Sequence, residues 1–165
     1  MIISAERDVS VHHCFEAMLI SLQEDYRQNT LRQLSRDDIK AGINYVKHYG
    51  KYKERTVRVL ITALEAPQLY TACFSSNHGI KELAYRLEAL GENRTRITYS
   101  YDYHPLDIFQ KANHFIVGKL FKKSLERQSQ AQLAALIQYA KQLQQPIVFV
   151  KIIHRPWMRE KGSFG

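Results

Sequence analysis

From Asp107 to Gln144 the chain runs without a proline and with a single glycine, Gly118. Such a stretch can form one continuous helix, roughly 55 Å long at 1.5 Å of rise per residue. Its apolar residues recur at helical spacing. Phe109, Ala112, Phe115, Ile116, Leu120 and Phe121 mark the first half, and Leu133, Leu136, Ile137, Ala140 and Leu143 the second. Pro146 ends it.

What precedes the helix reads as one strand, one helix and a series of strands. Residues 2–9 form a short strand, and Ser10 is a suitable N-cap. Val11, Phe15, Met18, Leu19, Leu22 and Tyr26 then share one helix face, with Glu16, Gln23, Glu24 and Arg27 opposite. Asn29-Thr30 ends this helix. Ser35-Arg36-Asp37-Asp38 resembles a capping box and predicts a helical turn to Ala41, stopped by Gly42. Strands are expected over Ile43–Tyr49, Thr56–Leu64 and Leu69–Ser75. The segment Ile80–Leu90 is contested: its composition favours helix, whereas the spacing of Leu83, Tyr85, Leu87 and Ala89 favours a strand. The turn Gly91-Glu92-Asn93 decides for a strand, because it leads into a clear hairpin partner. In that partner, Arg94–Tyr103, Ile97, Tyr99, Tyr101 and Tyr103 alternate with Thr98, Ser100 and Asp102. Beyond the long helix, Ile147–Ile153 predicts one more strand, followed by a basic tail carrying Arg155, Trp157 and Arg159.

This order defines an α+β fold in which a curved antiparallel sheet wraps around a long C-terminal helix, the helix-grip arrangement. A chain of 165 residues suits one such domain. We divide it into a helix-grip domain over 1–144 and a C-terminal extension over 145–165. No apolar run approaches the ~20 residues of a membrane span, and the first residues lack the pattern of a secretory signal, so a cytoplasmic location is expected. Cys14 and Cys73 are far apart in sequence and read as buried thiols. The net charge of +8 is unevenly placed. Residues 1–106 hold 14 Lys and Arg against 13 Asp and Glu, whereas 107–165 hold 10 against 3.

A sheet gripping a helix often encloses a cavity, and its inward aromatics are the candidate lining: Tyr70, Phe74, Tyr85, Tyr99, Tyr101, Tyr103, Phe109 and Phe115. Tyrosine suits a pocket because it offers apolar area and one polar handle. The alternative, that these residues only fill the core, stands beside this reading. No catalytic motif is present. His12 and His13 are adjacent and cannot face one site together. His104 or His114 with Asp102 or Asp107 offers a weak acid–base pairing, with local capping the commoner outcome. No histidine or cysteine spacing fits zinc, so no metal or cofactor is expected. Nucleic-acid binding is disfavoured, since only Arg155, Trp157 and Arg159 interleave cations with an aromatic.

Several motifs are similar to a known family. They are the Ser21-x-x-x-Asp25-Tyr26 helix end, the Leu34-Ser35-Arg36 turn, and Gly42-Ile43-Asn44-Tyr45-Val46-Lys47 leading to Tyr49-Gly50-Lys51. Tyr70, Tyr85 and the Gln110-Lys111-x-Asn113 helix start add to them. Over about residues 1–140 the chain resembles a bacterial family catalogued as domain of unknown function 3284. The resemblance implies the START-like (SRPBCC) superfamily, shared with the birch-pollen allergen and polyketide cyclases. Its members bind lipids, hormones or other hydrophobic ligands, and a minority are enzymes. The family has no assigned activity, so it supplies no catalytic residues.

The leading expectation is non-enzymatic binding of a small hydrophobic or amphipathic ligand between sheet and long helix. The alternative is an interaction module using the basic C-terminal third, with Lys119, Lys122, Lys123 and Arg127, against an acidic partner or a membrane surface. The extension over 145–165 is also compatible with capping the cavity, extending the sheet or a homodimer contact.

Overall fold

The computed structural model describes residues 1–106 and 108–145, with side chains for 1–106 and 123–145. The elements are β1 (Ile2–Arg7), α1 (Val11–Thr30), a 3-10 turn (Arg36–Asp38), β2 (Asn44–Tyr49), β3 (Arg55–Glu65), β4 (Leu69–Ser75), β5 (Gly79–Gly91), β6 (Arg94–Pro105) and α2 (Ile108–Gln144). The expected strand over Ile147–Ile153 and the tail lie outside the described residues.

The six strands form one antiparallel sheet in the order β1-β6-β5-β4-β3-β2. From β2 to β6 each strand pairs with the next in sequence, so α1 carries the chain from one sheet edge to the other. Register shifts at Ile61/Ala63 in β3 and Ala89/Gly91 in β5 are bulges, which bend a strand and increase its twist. Inward residues are buried (Val59, Ile61, Tyr70, Ala72, Tyr85, Leu87, Ile97, Tyr99), whereas Arg58, Leu60, Arg86 and Glu88 face out. In β5 the period-2 pattern therefore overrides the helical propensity of the same residues. Pairing with β4 on one side and β6 on the other rewards alternation, which a helix would waste.

Both helices cover the inward face. Ser10 caps α1, its Oγ accepting from the His13 N–H at 3.2 Å. Leu31 closes α1 in the left-handed region, its N–H donating to the Arg27 carbonyl. Met18, Leu22, Phe15 and Cys14 from α1 join Leu133, Leu136, Ile137 and Ala140 from α2 in the core. α2 runs unbroken through Gly118.

Two local expectations are corrected. The turn after Ser35 spans only three residues, because the Ser35 Oγ bonds the Asp38 carboxylate at 2.6 Å rather than capping the backbone. Cys14 is fully buried, but Cys73 is half-buried on the outward face of β4, opposite Leu60 and Glu82.

Strand alternation gives the molecule two distinct ends. The β3–β4 and β5–β6 turns stand at one, and the β2–β3 and β4–β5 turns at the other. α1 starts at the first end, where the Thr95 Oγ1 donates to the Val9 carbonyl at 2.7 Å. It finishes at the second, where the Asn29 Oδ1 accepts from the His48 N–H at 3.0 Å. α2 runs the opposite way, and its Gln144 Oε1 accepts from the Ser10 N–H at 3.1 Å.

Candidate ligand cavity

A cavity of about 350 Å³ opens toward the second end, between the inward face of the sheet, the last turns of α1 and the middle of α2. This lies within the range of small-molecule pockets, roughly 300–1,000 Å³. The sheet supplies an apolar wall of Val57, Phe74, Leu83, Tyr99 and Tyr101, and α2 adds Leu125. Polar residues gather on one side: Asp25, Gln28 and Asn29 from α1, and Lys47, His48 and Tyr49 from β2. Gln128, Ser129 and Gln132 of α2 face them.

Asp25 anchors the polar side and is 3% exposed. Its Oδ1 accepts from the Lys47 Nζ at 2.8 Å and its Oδ2 from the Tyr45 hydroxyl at 2.5 Å. The Asn29 amide reaches Oδ1 at 3.4 Å and the Asp25 carbonyl at 2.8 Å. A carboxylate taken out of water needs such partners, since burial costs several kcal/mol per ion. Burial, reinforced by the negative charge of Asp25, holds the Tyr45 hydroxyl far above its ordinary pKa, so it stays a donor. The Tyr45 ring meets Tyr26 edge-on at 5.4 Å.

The expected aromatic lining divides. Phe74, Tyr99 and Tyr101 stand on the cavity wall. Tyr70 and Tyr85 lie beside Tyr99 in register, Tyr70 opposite Tyr85 and Tyr85 opposite Tyr99; all three are buried in the core, but only Tyr99 also borders the cavity. Their rings are 6.4 Å apart, and Tyr85 and Tyr99 are 4.9 Å apart. Burial, then Asp25, raises the pKa of the Tyr70 hydroxyl, which finds no hydrogen-bond partner among the described residues. Tyr103 lies at the end of β6, its hydroxyl donating to the His78 carbonyl at 3.0 Å. The side chains of Phe109 and Phe115 lie outside the described residues.

Asp25 and Lys47 were not among the expected site residues, yet the sequence carries their signal. Asp25 follows Met18 and Leu22 at helical spacing, and so lies on the apolar face of α1. Lys47 shares the inward face of β2 with Tyr45. Two opposite charges, each on a face meant for the core, predict each other as partners.

His104 and Asp102 do meet, at 3.2 Å, but both are more than half exposed and neither borders the cavity. Among the described residues no group of His, Cys, Asp and Glu could hold a metal ion. No described helix is long and apolar enough to cross a membrane.

A curved antiparallel sheet gripping a long C-terminal helix is the START-like, helix-grip fold, and known structures agree. The chain is similar to a START superfamily protein from Mycobacterium smegmatis, with 14% identity, covering 87% of this chain and 97% of that one, at TM-score 0.56. It is similar to norcoclaurine synthase from Thalictrum flavum in complex with dopamine and hydroxybenzaldehyde, with 12% identity, covering 89% and 87%, at TM-score 0.56. It is also similar to the Zhui aromatase/cyclase from a Streptomyces species, with 11% identity, covering 91% and 98%, at TM-score 0.56. At these identities the likeness establishes fold alone. The family described as Domain of unknown function (DUF3284) matches residues 1–122, and the chain belongs to that family. No curated protein matches the sequence.

Proposed function

We propose that this domain binds a small hydrophobic or amphipathic molecule between the sheet and α2. The observation that carries this reading is the cavity itself: about 350 Å³, walled by Phe74, Leu83, Tyr99 and Tyr101, with a buried polar anchor at Asp25. A wall of apolar side chains with a few convergent polar groups is the usual form of a small-molecule site. That norcoclaurine synthase, a structure of the same fold, is complexed with two small molecules supports the reading.

Native mass spectrometry of the purified protein, set against its denatured mass, tests it together with titration by an apolar fluorescent probe. The expected result is a reproducible adduct or one-to-one probe binding, abolished by Leu83→Trp or Tyr101→Arg in a protein whose circular dichroism is unchanged. A bare wild-type mass together with no probe binding overturns the proposal. So does binding that survives both substitutions.

A further inference from the structure

Single apolar side chains on a surface are ordinary, and four exposed ones here, Ile2, Val46, Leu60 and Leu90, stand on strands. Leu31, Tyr52 and Leu106 differ in place: each lies outside the strands at the end where the cavity opens. Leu31 is 91% exposed and Tyr52 79%. These two stand on neighbouring segments, the end of α1 and the β2–β3 turn. The Asn29 side chain ties the segments together, its Oδ1 accepting from the His48 N–H at 3.0 Å. Both segments border the cavity, through Gln28 and Asn29 on one side and Gly50 and Lys53 on the other.

The backbone singles out the same edge. Among the described residues, Leu31 (φ 60°) and Lys53 (φ 57°) are the two non-glycine residues in the left-handed region. A helix end in this conformation usually carries glycine or asparagine. Leucine is a costly choice there, and its side chain gains no burial in return. A residue that serves neither backbone nor core points to a role outside the fold.

The charges around these side chains are mostly positive. Arg32 follows Leu31, and Lys51 and Lys53 flank Tyr52, with the Lys51 ammonium 5.4 Å from the centre of the Tyr52 ring. The one acid of the turn, Glu54, accepts from the Tyr52 N–H at 2.9 Å. Across the mouth, Leu106 is followed by Asp107, so the cations collect on the edge formed by α1 and the β2–β3 turn.

This pattern discriminates between partners. A stable protein interface needs a continuous patch of about 800 Å² on each side with an apolar centre. Two projecting side chains set among exposed cations supply points rather than a patch. A bilayer surface takes such points: tyrosine rests at headgroup level, leucine reaches the acyl boundary, and cations are drawn to acidic head groups. We propose that this edge seats the protein on an anionic membrane surface, with Leu31 and Tyr52 entering the interface and Arg32, Lys51 and Lys53 meeting the head groups. The seat turns the cavity mouth toward the bilayer. It is a different surface from the basic cluster of α2, and it does not depend on what the cavity holds.

The test is flotation of the full chain with two kinds of vesicle, phosphatidylcholine alone and phosphatidylcholine with about one-third phosphatidylglycerol. At low salt the anionic vesicles are expected to bind about ten-fold more tightly, and added salt should narrow the gap. Lys51→Gln/Lys53→Gln should weaken binding to them about ten-fold. Leu31→Asn/Tyr52→Ser should weaken it several-fold with unchanged circular dichroism, since asparagine suits the left-handed position. Lys123→Gln/Arg127→Gln, on α2, should change it little. No binding to anionic vesicles overturns the proposal and leaves the ligand-binding reading intact, as does binding lost in the α2 variant but kept in both loop variants. Self-association that requires Leu31 and Tyr52, without vesicle binding, also overturns it and assigns the two side chains to a contact between copies of the chain.

Discussion

The two ends of the molecule are built from the same sheet and the same two helices, yet one is closed and the other hollow. At the closed end Val9, Cys14, Ile97, Leu136 and Ala140 are wholly buried, and the buried Thr95 hydroxyl is satisfied by the Val9 carbonyl. At the other end the inward positions include Asp25, Lys47, Lys81 and Gln132. Apolar side chains interdigitate to near-crystalline density, which is what the closed end does. Charged and amide side chains resist that collapse, because burying them without partners costs more than the contacts return. The contrast teaches how this fold keeps a cavity: the backbone layers are continuous, and the identity of inward side chains decides where they meet.

The largest expected difference between the ends lies in truncation. Leu136→Ala removes a fully buried side chain from packing that cannot relax, and should cost about 3–4 kcal/mol in urea or guanidinium unfolding. Leu83→Ala, on a half-buried wall residue beside existing space, should cost about 1 kcal/mol. Equal losses at the two positions would break the comparison, because they would mean that Leu83 is packed as tightly as Leu136.

The next effect concerns the ion pair. Lys47→Met leaves the Asp25 carboxylate with Tyr45 and Asn29 alone, at the edge of the cavity. The cost should be about 2 kcal/mol, below that of a fully enclosed pair because the Lys47 side chain is 15% exposed. The double variant Asp25→Asn/Lys47→Met should recover most of that loss, since it removes both charges. A double variant as unstable as Lys47→Met alone would show that the residues act through packing, not charge.

The architecture was largely legible in the sequence because its signals are periodic. The proline-free run after Asp107, the alternation of Ile97, Tyr99 and Tyr101, and the Ser10 cap each carry a local physical reason that tertiary structure did not override. Even the ambiguous Ile80–Leu90 segment resolved by its spacing. The candidate site was less legible. Strand alternation places Tyr70, Tyr85, Tyr99 and Tyr101 on one face alike, and cannot say that Tyr70 and Tyr85 sink into the core while Tyr99 and Tyr101 reach the cavity. That division depends on where α1 and α2 cross the sheet. Asp25 and Lys47 were obscured for a different reason: an isolated charge on an apolar face reads as an exception until its partner is found on another element.

The smallest effect separates the ends by chemistry. At the closed end, burial pushes the Cys14 thiol up to about 11 from an ordinary value of 9.0, partly opposed by the polar Thr95 side chain beside it. Between about pH 9 and 11 the unfolded chain therefore releases the Cys14 proton while the folded chain keeps it. The unfolded state then binds fewer protons, so stability is fully present below pH 9 and declines as pH rises toward 11. The loss at pH 10 should be about 1 kcal/mol. Burial also raises the Tyr45, Tyr70 and Tyr85 hydroxyls, which add a loss of the same sign beginning one unit higher, where free tyrosine ionises. Cys14→Val should accordingly flatten the decline in the urea midpoint between pH 9 and 11, most visibly below pH 10 where the tyrosines do not yet contribute, and leave the fall above pH 11 unchanged. In the native protein at neutral pH, a thiol reagent should label the half-buried Cys73 well before Cys14. Labelling of Cys14 at the rate of Cys73 would mean that the closed end opens readily, and the contrast between the two ends would then be one of average structure rather than of packing.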